Sequence, residues 1–187
     1  MINLLFESLP DSITVWNKDY KVNTDYKYWI ELSDALNDPD CNKEYLANVI
    51  MNIFYDEMPS EFNSEVFLAI KGFLVGNVDD NERTAGDENI SAKQRVYDYK
   101  IDSEYFIAAF QQQYQINLLE ANMHWFRFLA LFHGLGDCEL KQRMYYRGVD
   151  LSSIKDKKER ARVRKIQYEL ALGKSEISDE MIAQALW

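Results

Sequence analysis

Helix-breaking residues and the usual ligands of catalytic sites are scarce in this sequence. Its 187 residues include 7 glycines, 3 prolines, 2 cysteines and 2 histidines. So few glycines and prolines argue against a fold of many short strands and tight turns, and they favour helices. The glycines are scattered and form no glycine-rich loop of the kind that binds phosphate groups. The composition therefore predicts a helical protein without a nucleotide-binding loop.

The cysteines and histidines are too few and too far apart for a metal site. Cys41 and Cys138 have no neighbouring cysteine, and we expect both to be free thiols in a reducing compartment. His124 and His133 lie nine residues apart on one predicted helix, where about 100° of rotation per residue directs them to nearly opposite faces. A structural zinc ion needs four ligands. The sequence predicts neither a metal site nor a cofactor.

Long apolar runs and an excess of positive charge are also missing. No segment reaches the ~18 apolar residues that a membrane span requires. The first ten residues lack the basic start of a signal peptide. The formal net charge is −10, which argues against general binding of nucleic acid, because phosphate contacts need a positive surface. We therefore expect a cytosolic protein that has neither a membrane nor a nucleic acid as its partner.

The most apolar helical pattern covers residues 117–133 and is apolar on most of its sides. Asn117 and Glu120 stand three residues apart, as in a capping box, and Gly134 is a natural left-handed stop. Two stripes at helical spacing hold most of the apolar residues: Leu118, Ala121, Trp125, Phe128 and Phe132, and Leu119, Met123, Phe126 and Ala130. Because a helix that is apolar nearly all round is buried, this segment predicts the central helix of a bundle.

Shorter patterns surround this central helix. Residues 12–23 alternate apolar and polar around a turn at 17–19, which predicts a β-hairpin with an apolar inner side formed by Ile13, Val15, Tyr20 and Val22. Helical spacing recurs in six further segments: 25–36, 43–55, 63–75, 104–114, 139–146 and 154–172. We expect Asn23 or Thr24 to cap the first segment, Asp102 to cap the fourth and Asp150 to open the last. The predicted inward residues of the second segment are Leu46, Val49, Ile50, Ile53 and Phe54. We predict a mainly α, single-domain helical bundle around a buried central helix, with a short N-terminal β-hairpin.

Two polar segments interrupt the helical pattern. Residues 77–95 have no periodicity, which predicts a mobile loop between two halves of one helical domain, 1–172. A boundary between two separate domains is the alternative. Residues 173–187 form a C-terminal tail. The sequence does not decide whether this tail forms one or two capped turns that begin at Ser178.

One polar line crosses the central helix and is formed by Glu120, His124 and Arg127. A glutamate one turn from a histidine can orient the imidazole as a general base. The alternative is a hydrogen-bonded seam on an otherwise buried helix. Since no nucleophilic residue is placed to complete a catalytic group, we favour the seam, assign no catalytic residue and predict that the protein is not an enzyme.

The last predicted helix has two different sides. Val163, Ile166 and Leu170 share one face, while lysines and arginines spread over the other. Residues 155–165 carry 7 basic and 2 acidic groups in an otherwise acidic chain. One interpretation is an ordinary solvated surface helix. The others are docking onto an acidic partner, onto the protein's own acidic body or, less well matched to an acidic chain, onto nucleic acid. The predicted partner-binding residues are Arg160, Val163, Arg164, Ile166 and Leu170.

Three long segments resemble a known family. They are VYDYKIDSEYFIAAFQQQYQINL, HWFRFLALFHGL and YRGVDLSSIKDKKERARVRKIQYEL, and they follow an opening NLLFESLP and a segment NTDYKYWIEL. Over residues 2–172 this pattern resembles the "gene product fifteen" family of tailed phages and prophages of Gram-positive bacteria. Its most specific parts are residues 97–114, which contain YDY, Asp102 and AAF, the His124-Trp125 pair and the Tyr146-Arg147 pair. Phe126 stands where many relatives have tryptophan, an aromatic exchange that leaves the resemblance intact.

The resemblance implies a small protein of the host cytoplasm that acts as a tail assembly chaperone. Its implied partners are the phage tape measure protein and other tail assembly proteins, with self-association left open. The resemblance implies no enzymatic activity and no cofactor. The alternative is a minor structural or regulatory phage protein, for example an anti-defence factor.

Overall fold

The computed structural model describes residues 8–76 and 95–172. These residues fold into seven α-helices and one two-stranded antiparallel hairpin, so the prediction of a mainly α fold with a short hairpin is confirmed. The elements are β1 (Ser12–Val15), β2 (Lys18–Lys21), α1 (Tyr26–Asn37), α2 (Lys43–Ile53), α3 (Ser64–Leu74), α4 (Ser103–Tyr114), α5 (Trp125–His133), α6 (Glu139–Gly148) and α7 (Lys157–Glu169). A 3-10 turn, Leu151–Ser153, precedes α7. The predicted tail, and the predicted loop except for its last residue, lie outside the described residues.

The hairpin turns at Trp16 and Asn17, earlier than the sequence pattern predicts. Both residues have a positive φ, 51° and 61°, and they form a two-residue turn that matches the twist of the flanking strands. Ile13 and Val15 in β1 and Tyr20 in β2 are buried, as predicted. Because two short strands are marginally stable alone, this apolar side needs helices to cover it.

The described residues group into two compact units. The first comprises residues 8–76 and 122–131, and the second comprises residues 95–121 and 132–172. Helix α5 therefore contributes most of its length to the first unit and its last two residues to the second.

The core of the first unit is aromatic. Trp29 stacks on Phe73 with the ring centroids 4.4 Å apart, and Trp125 stacks on Phe128 at 5.5 Å. The indole N–H of Trp125 donates to the carbonyl of Phe73, 3.2 Å away, near the end of α3. The same indole N–H also lies 3.1 Å from the carbonyl of Leu74, so it is shared between two carbonyls at the end of α3. The rings supply buried apolar area, and the indole N–H keeps a hydrogen-bond partner when it is buried.

Short polar side chains start the first three helices. Asp25, Asn42 and Asn63 are the N-caps of α1, α2 and α3, and each side chain accepts a backbone N–H of the first turn. The predicted cap of α1, Asn23 or Thr24, is therefore wrong by one or two residues. The predicted start of α3 at residue 63 is confirmed to within one residue.

The predicted central helix over residues 117–133 is wrong in its first half. Helix α5 begins only at Trp125. Asn117 does act as a cap, because its side chain accepts the N–H of Leu119 at 3.1 Å, but the turn that it starts ends at Ala121. Leu119, predicted to be buried, is 70% exposed.

Backbone pairing with the start of α1 keeps residues 122–124 extended. The N–H of Tyr26 donates to the carbonyl of Met123 at 2.9 Å, and the N–H of Trp125 donates to the carbonyl of Thr24 at 2.7 Å. These two bonds form an isolated antiparallel bridge. A segment whose backbone groups are bonded across to another segment cannot also make helical bonds, so the helix starts after it.

The core of the second unit is a cluster of rings between α4 and α6. Tyr97 lies 5.0 Å from Phe132, and Phe106 lies 5.1 Å from the same ring, centroid to centroid. Phe110 of α4 and Leu140 of α6 are completely enclosed. The last turn of α5 thus contributes Phe132 to a second apolar core, as its position in the predicted stripe requires.

Helix α7 is shorter than the predicted helix over residues 154–172. Asp150, the predicted start, caps the 3-10 turn instead, with its carboxylate accepting the N–H of Ser152 at 2.8 Å. Asp156 caps α7 and accepts the N–H of Glu159 at 2.7 Å. Two successive aspartates that bond to the backbone ahead of them divide the predicted helix into a turn and a helix.

Candidate functional site

The apolar residues of the predicted partner-binding site lie on the inner side of α7. Val163 is 4% exposed and belongs to the core of the second unit. Ile166 and Leu170 are half-buried. Beside them, the amide of Gln167 donates to the carbonyl of Val149 at 2.8 Å. This side of the helix is therefore largely covered by the protein's own chain.

The two arginines of the predicted site lie in different environments. Arg160 donates from Nε and Nη2 to the carbonyl of Ile154, at 2.8 Å and 2.5 Å, and so fixes the segment that precedes α7. Arg164 is exposed. Of the five predicted residues, Arg164 alone extends fully into solvent, and the structure does not gather the five into one accessible surface.

The outer side of α7 is cationic and carries an exposed aromatic ring. At about 100° per residue, one face collects four cations, a small residue and a tyrosine. We call it the basic face: Lys157, Lys158, Ala161, Arg164, Lys165 and Tyr168. All six are exposed, and Tyr168 is 85% exposed, the largest fraction among the exposed apolar and aromatic side chains of the described residues. This face is the part of α7 that a partner can reach.

A buried ion pair holds the end of α7 in place. The guanidinium of Arg147, in α6, binds both carboxylate oxygens of Asp102, with Nη1–Oδ2 and Nη2–Oδ1 distances of 2.5 Å and 2.9 Å. Arg147 also donates from Nε to the carbonyl of Leu170, 2.7 Å, and from Nη1 to that of Val96, 3.1 Å. One side chain therefore connects α6 to the segment before α4 and to the residue that ends α7.

The sequence predicts Asp102 as the cap of α4, and the structure corrects its role. Asp102 does precede the helix, but its carboxylate makes no capping bond and accepts instead from Arg147 and from the N–H of Asp98 at 3.0 Å. Asp98 in turn accepts the N–H groups of Lys100 and Ile101 and pairs with Arg95. The sequence contained one signal for the ion pair of Asp102 with Arg147: both residues lie in the segments that are most specific to the resembled family.

The predicted polar line of Glu120, His124 and Arg127 does not form, because Glu120 is not in α5. His124 is the residue before the helix. Its Nδ1 accepts the N–H of Phe126 at 3.1 Å, and its Nε2 lies 2.9 Å from the carbonyl of Pro10. Both contacts together require a neutral ring with the proton on Nε2. Burial lowers the pKa of His124, and the bond to Pro10 opposes that shift.

The remaining polar features of the described residues do not assemble into a reactive site. An open cleft in the first unit is lined by Asp25, Lys27, Tyr28, Glu31 and Asn122. Asp25 accepts backbone N–H groups there, which is a structural role. Within residues 8–76 and 95–172, no three side chains of histidine, cysteine, aspartate or glutamate are grouped to hold a metal ion. No helix in these ranges is long and apolar enough to cross a membrane.

A second accessible surface lies along α2. Residues 45–55 contain no charged side chain, in a chain of which 28% is charged. The outer positions of this segment form what we call the uncharged strip: Tyr45, Asn48, Met51, Asn52 and Tyr55. All five side chains are exposed. Tyr55 lies two residues beyond the end of α2, so the strip continues from the helix into the connection that follows it. An exposed uncharged surface with two tyrosines and a methionine is suited to contact with an apolar partner.

Comparison with known proteins gives one match. The model of the family described as Bacteriophage Gp15 protein matches residues 5–172. No curated protein and no solved structure matches the chain. The matched region includes α7, the uncharged strip and the ion pair of Asp102 with Arg147.

Proposed function

We propose a role in phage tail assembly for this chain, which belongs to the Bacteriophage Gp15 protein family. In this proposal it is a tail assembly chaperone of a tailed phage or prophage of a Gram-positive host. It works in the host cytoplasm, where it binds the tape measure protein. It catalyses no reaction.

The observation that carries the proposal is the uncharged strip on α2. A tape measure protein is a very long helical chain whose apolar stripes would aggregate if left bare. An amphipathic helix binds through its apolar side to an accessible apolar surface. Tyr45 and Tyr55 offer large, stiff contact areas, and Met51 is a flexible side chain that adapts to different partners.

The charge of the chain supports the same role. A protein that keeps apolar side chains exposed needs other means to remain in solution, and a net charge of −10 favours solubility. Asp56 and Glu57 follow the strip directly, and Glu44 precedes it. Acidic ends beside an uncharged strip allow partner contact along the strip and hydration at its borders.

The absence of an enzymatic function is likewise part of the proposal. The one candidate base, His124, uses both ring nitrogens within the fold, on Phe126 and Pro10. A general base must be free to reach the proton that it abstracts. His124 therefore supports the structure of α5 rather than a reaction.

Co-expression with the tape measure protein encoded beside this chain tests the proposal. We expect a soluble complex on sizing, and an aggregated tape measure protein when this chain is omitted. The double variant Met51→Lys/Tyr55→Lys places charge on the strip and should abolish the complex. Lysine is chosen because a positive charge is favourable at position 51, in the last turn of α2.

The matched control is Leu68→Lys/Leu119→Lys, which adds the same charge at two exposed apolar positions that are not part of the strip. It should keep the complex. A tape measure protein that is equally soluble alone would refute the chaperone role. Detection of this chain in purified virions would favour the minor structural protein instead, since an assembly chaperone leaves before the particle is complete.

A further inference from the structure

The basic face of α7 keeps most of its charge unpaired. Within the described part of the chain, Lys157, Lys158 and Arg164 make no ion pair. Lys165 lies 3.8 Å from Glu169, with both side chains mostly exposed, and such a pair contributes little. The face therefore presents a concentrated positive potential in a chain that is acidic overall.

The connection between α2 and α3 has the opposite charge and is also exposed. We call it the acidic connection: Asp56, Glu57, Met58 and Glu61. Glu57 pairs with Lys18, whereas Asp56 and Glu61 have no ion-pair partner among the described residues. Four acidic side chains occur between residues 56 and 65, without a basic one.

These two surfaces match in composition as well as in sign. The basic face sets Tyr168 beside Arg164 and Lys165, one turn away on the helix. The acidic connection sets Met58 among its carboxylates, and this side chain is exposed. Each surface therefore offers an apolar group surrounded by like charges, and the charges of one are the counterions of the other.

We propose that the basic face of one copy of this chain binds the acidic connection of a second copy. The contact joins different surfaces on the two copies, so it is head-to-tail, and a dimer still has one free basic face on one copy and one free acidic connection on the other. Association therefore continues into a series of oligomers rather than stopping at a dimer, unless the series closes into a ring. This inference does not depend on the chaperone role.

The size of the surfaces sets the strength of the contact. One side of a 13-residue helix is smaller than a standard interface of about 800 Å² per partner, so the association is weak and depends on concentration. Exposed charge pairs each contribute little and are screened by salt. We therefore expect assembly at low ionic strength that is lost at high ionic strength.

Nucleic acid is a poorer occupant of the basic face. Single-stranded nucleic acid is usually held by several aromatic rings, and Tyr168 is the only one on this face. The acidic connection carries opposite charge and an apolar centre in one surface.

Sedimentation velocity of the purified full chain, alone, tests the inference. At ~20 mM salt the mean mass should rise with protein concentration, and at ~500 mM salt, where the screening length falls to a few ångströms, it should return to the monomer. The variant Lys158→Glu/Arg164→Glu/Lys165→Glu should stay monomeric at both. The control Lys27→Glu/Lys71→Glu/Lys100→Glu has the same net charge and should still associate, because its three exposed lysines belong to neither surface.

Complementation identifies the two surfaces. The variant Asp56→Lys/Glu61→Lys should also be monomeric alone, and mixing it with the triple variant of α7 should restore oligomers, since each reversed surface then meets an opposite one. A monomer at every concentration and salt would overturn the inference, as would equal loss in the control or no recovery on mixing. Association that appears only when a DNA or RNA oligonucleotide is added would show that the basic face binds nucleic acid rather than a second copy. Circular dichroism confirms that each variant is folded.

Discussion

Arg147 binds both carboxylate oxygens of Asp102, and the pair is almost completely enclosed: the exposed fractions are 3% and 0%. Arg147 also donates hydrogen bonds to two backbone carbonyls, those of Leu170 and Val96. A buried charge is tolerated when a partner and hydrogen bonds replace its hydration. This one pair therefore fastens together the segment before α4, helix α6 and the end of α7.

The first prediction concerns this pair. Arg147→Met should lower the free energy of unfolding by about 3–5 kcal/mol, because it leaves the carboxylate of Asp102 buried without a partner. Arg147→Lys should also be destabilising, since a single ammonium group cannot make the bidentate contact and reach two carbonyls. Urea unfolding, followed by circular dichroism, measures both.

The double variant Asp102→Leu/Arg147→Met provides the control for that prediction. It removes both charges and should recover a large part of the loss, so the two single effects should not add. Additive effects, or an Arg147→Met variant as stable as the wild type, would show that the enclosed pair is not a major determinant of stability.

The helices could be predicted from the sequence wherever apolar spacing and a local cap agree. In α2, Leu46, Val49, Ile50 and Ile53 were all predicted to be inward, and all are buried. The start of α5 could not be predicted in this way. Residues 117–124 have helical spacing, but backbone groups of Met123 and Trp125 are used by a bridge to a segment about 100 residues earlier, and no local pattern records such a pairing.

The candidate site was predictable in part. The amphipathic pattern of α7 is visible in the sequence, but a pattern does not say whether an apolar stripe faces the protein's own core or a partner. The structure assigns Val163 to the core and leaves Tyr168 outside, although both are hydrophobic by composition. The partner of Arg147 could not be predicted either, because Asp102 also has the local signature of a helix cap.

The second prediction concerns His124, whose Nδ1 accepts the N–H of Phe126 at the start of α5. His124→Ala removes this cap and should cost about 1 kcal/mol. His124→Asn should be more stable than His124→Ala, because the asparagine side chain can accept the same N–H. Equal stability of the two variants in urea would show that the contact with Phe126 does not cap the helix.

The same residue gives the protein an acid-sensitive contribution to stability. Burial lowers the pKa of His124 below its ordinary value of 6.5. Below that value the unfolded chain takes up a proton more readily than the folded one, so the contribution is complete above pH 6.5 and decreases as pH falls toward the folded-state value. The difference in the free energy of unfolding between wild type and His124→Asn should therefore decrease as the pH is lowered from about 7.5 to about 5.5. A difference independent of pH would contradict the assignment.

The third prediction separates core from partner surface on α7. Val163→Asp puts a carboxylate into an enclosed apolar site and should lower the free energy of unfolding by about 3 kcal/mol or more. Ala161→Asp is the matched control, because it introduces the same residue on the exposed side of the same helix and should change stability by only about 0.5 kcal/mol. A Val163→Asp variant that unfolds like wild type but loses a partner would return Val163 to the binding surface.

The fourth prediction concerns Gly76, which follows α3 and has a φ of +78°. A side chain at this φ is strained, and a Cβ here would also lie 3.2 Å from Cδ1 of Leu129, a tight contact. Gly76→Ala should therefore lower the free energy of unfolding by about 1–2 kcal/mol. Gly136→Ala is the control: its Cβ would meet Gln113 Oε1 at an ordinary 3.5 Å, without a positive φ, and its effect should be close to zero. Equal effects of the two substitutions in urea would show that the left-handed end of α3 is not required.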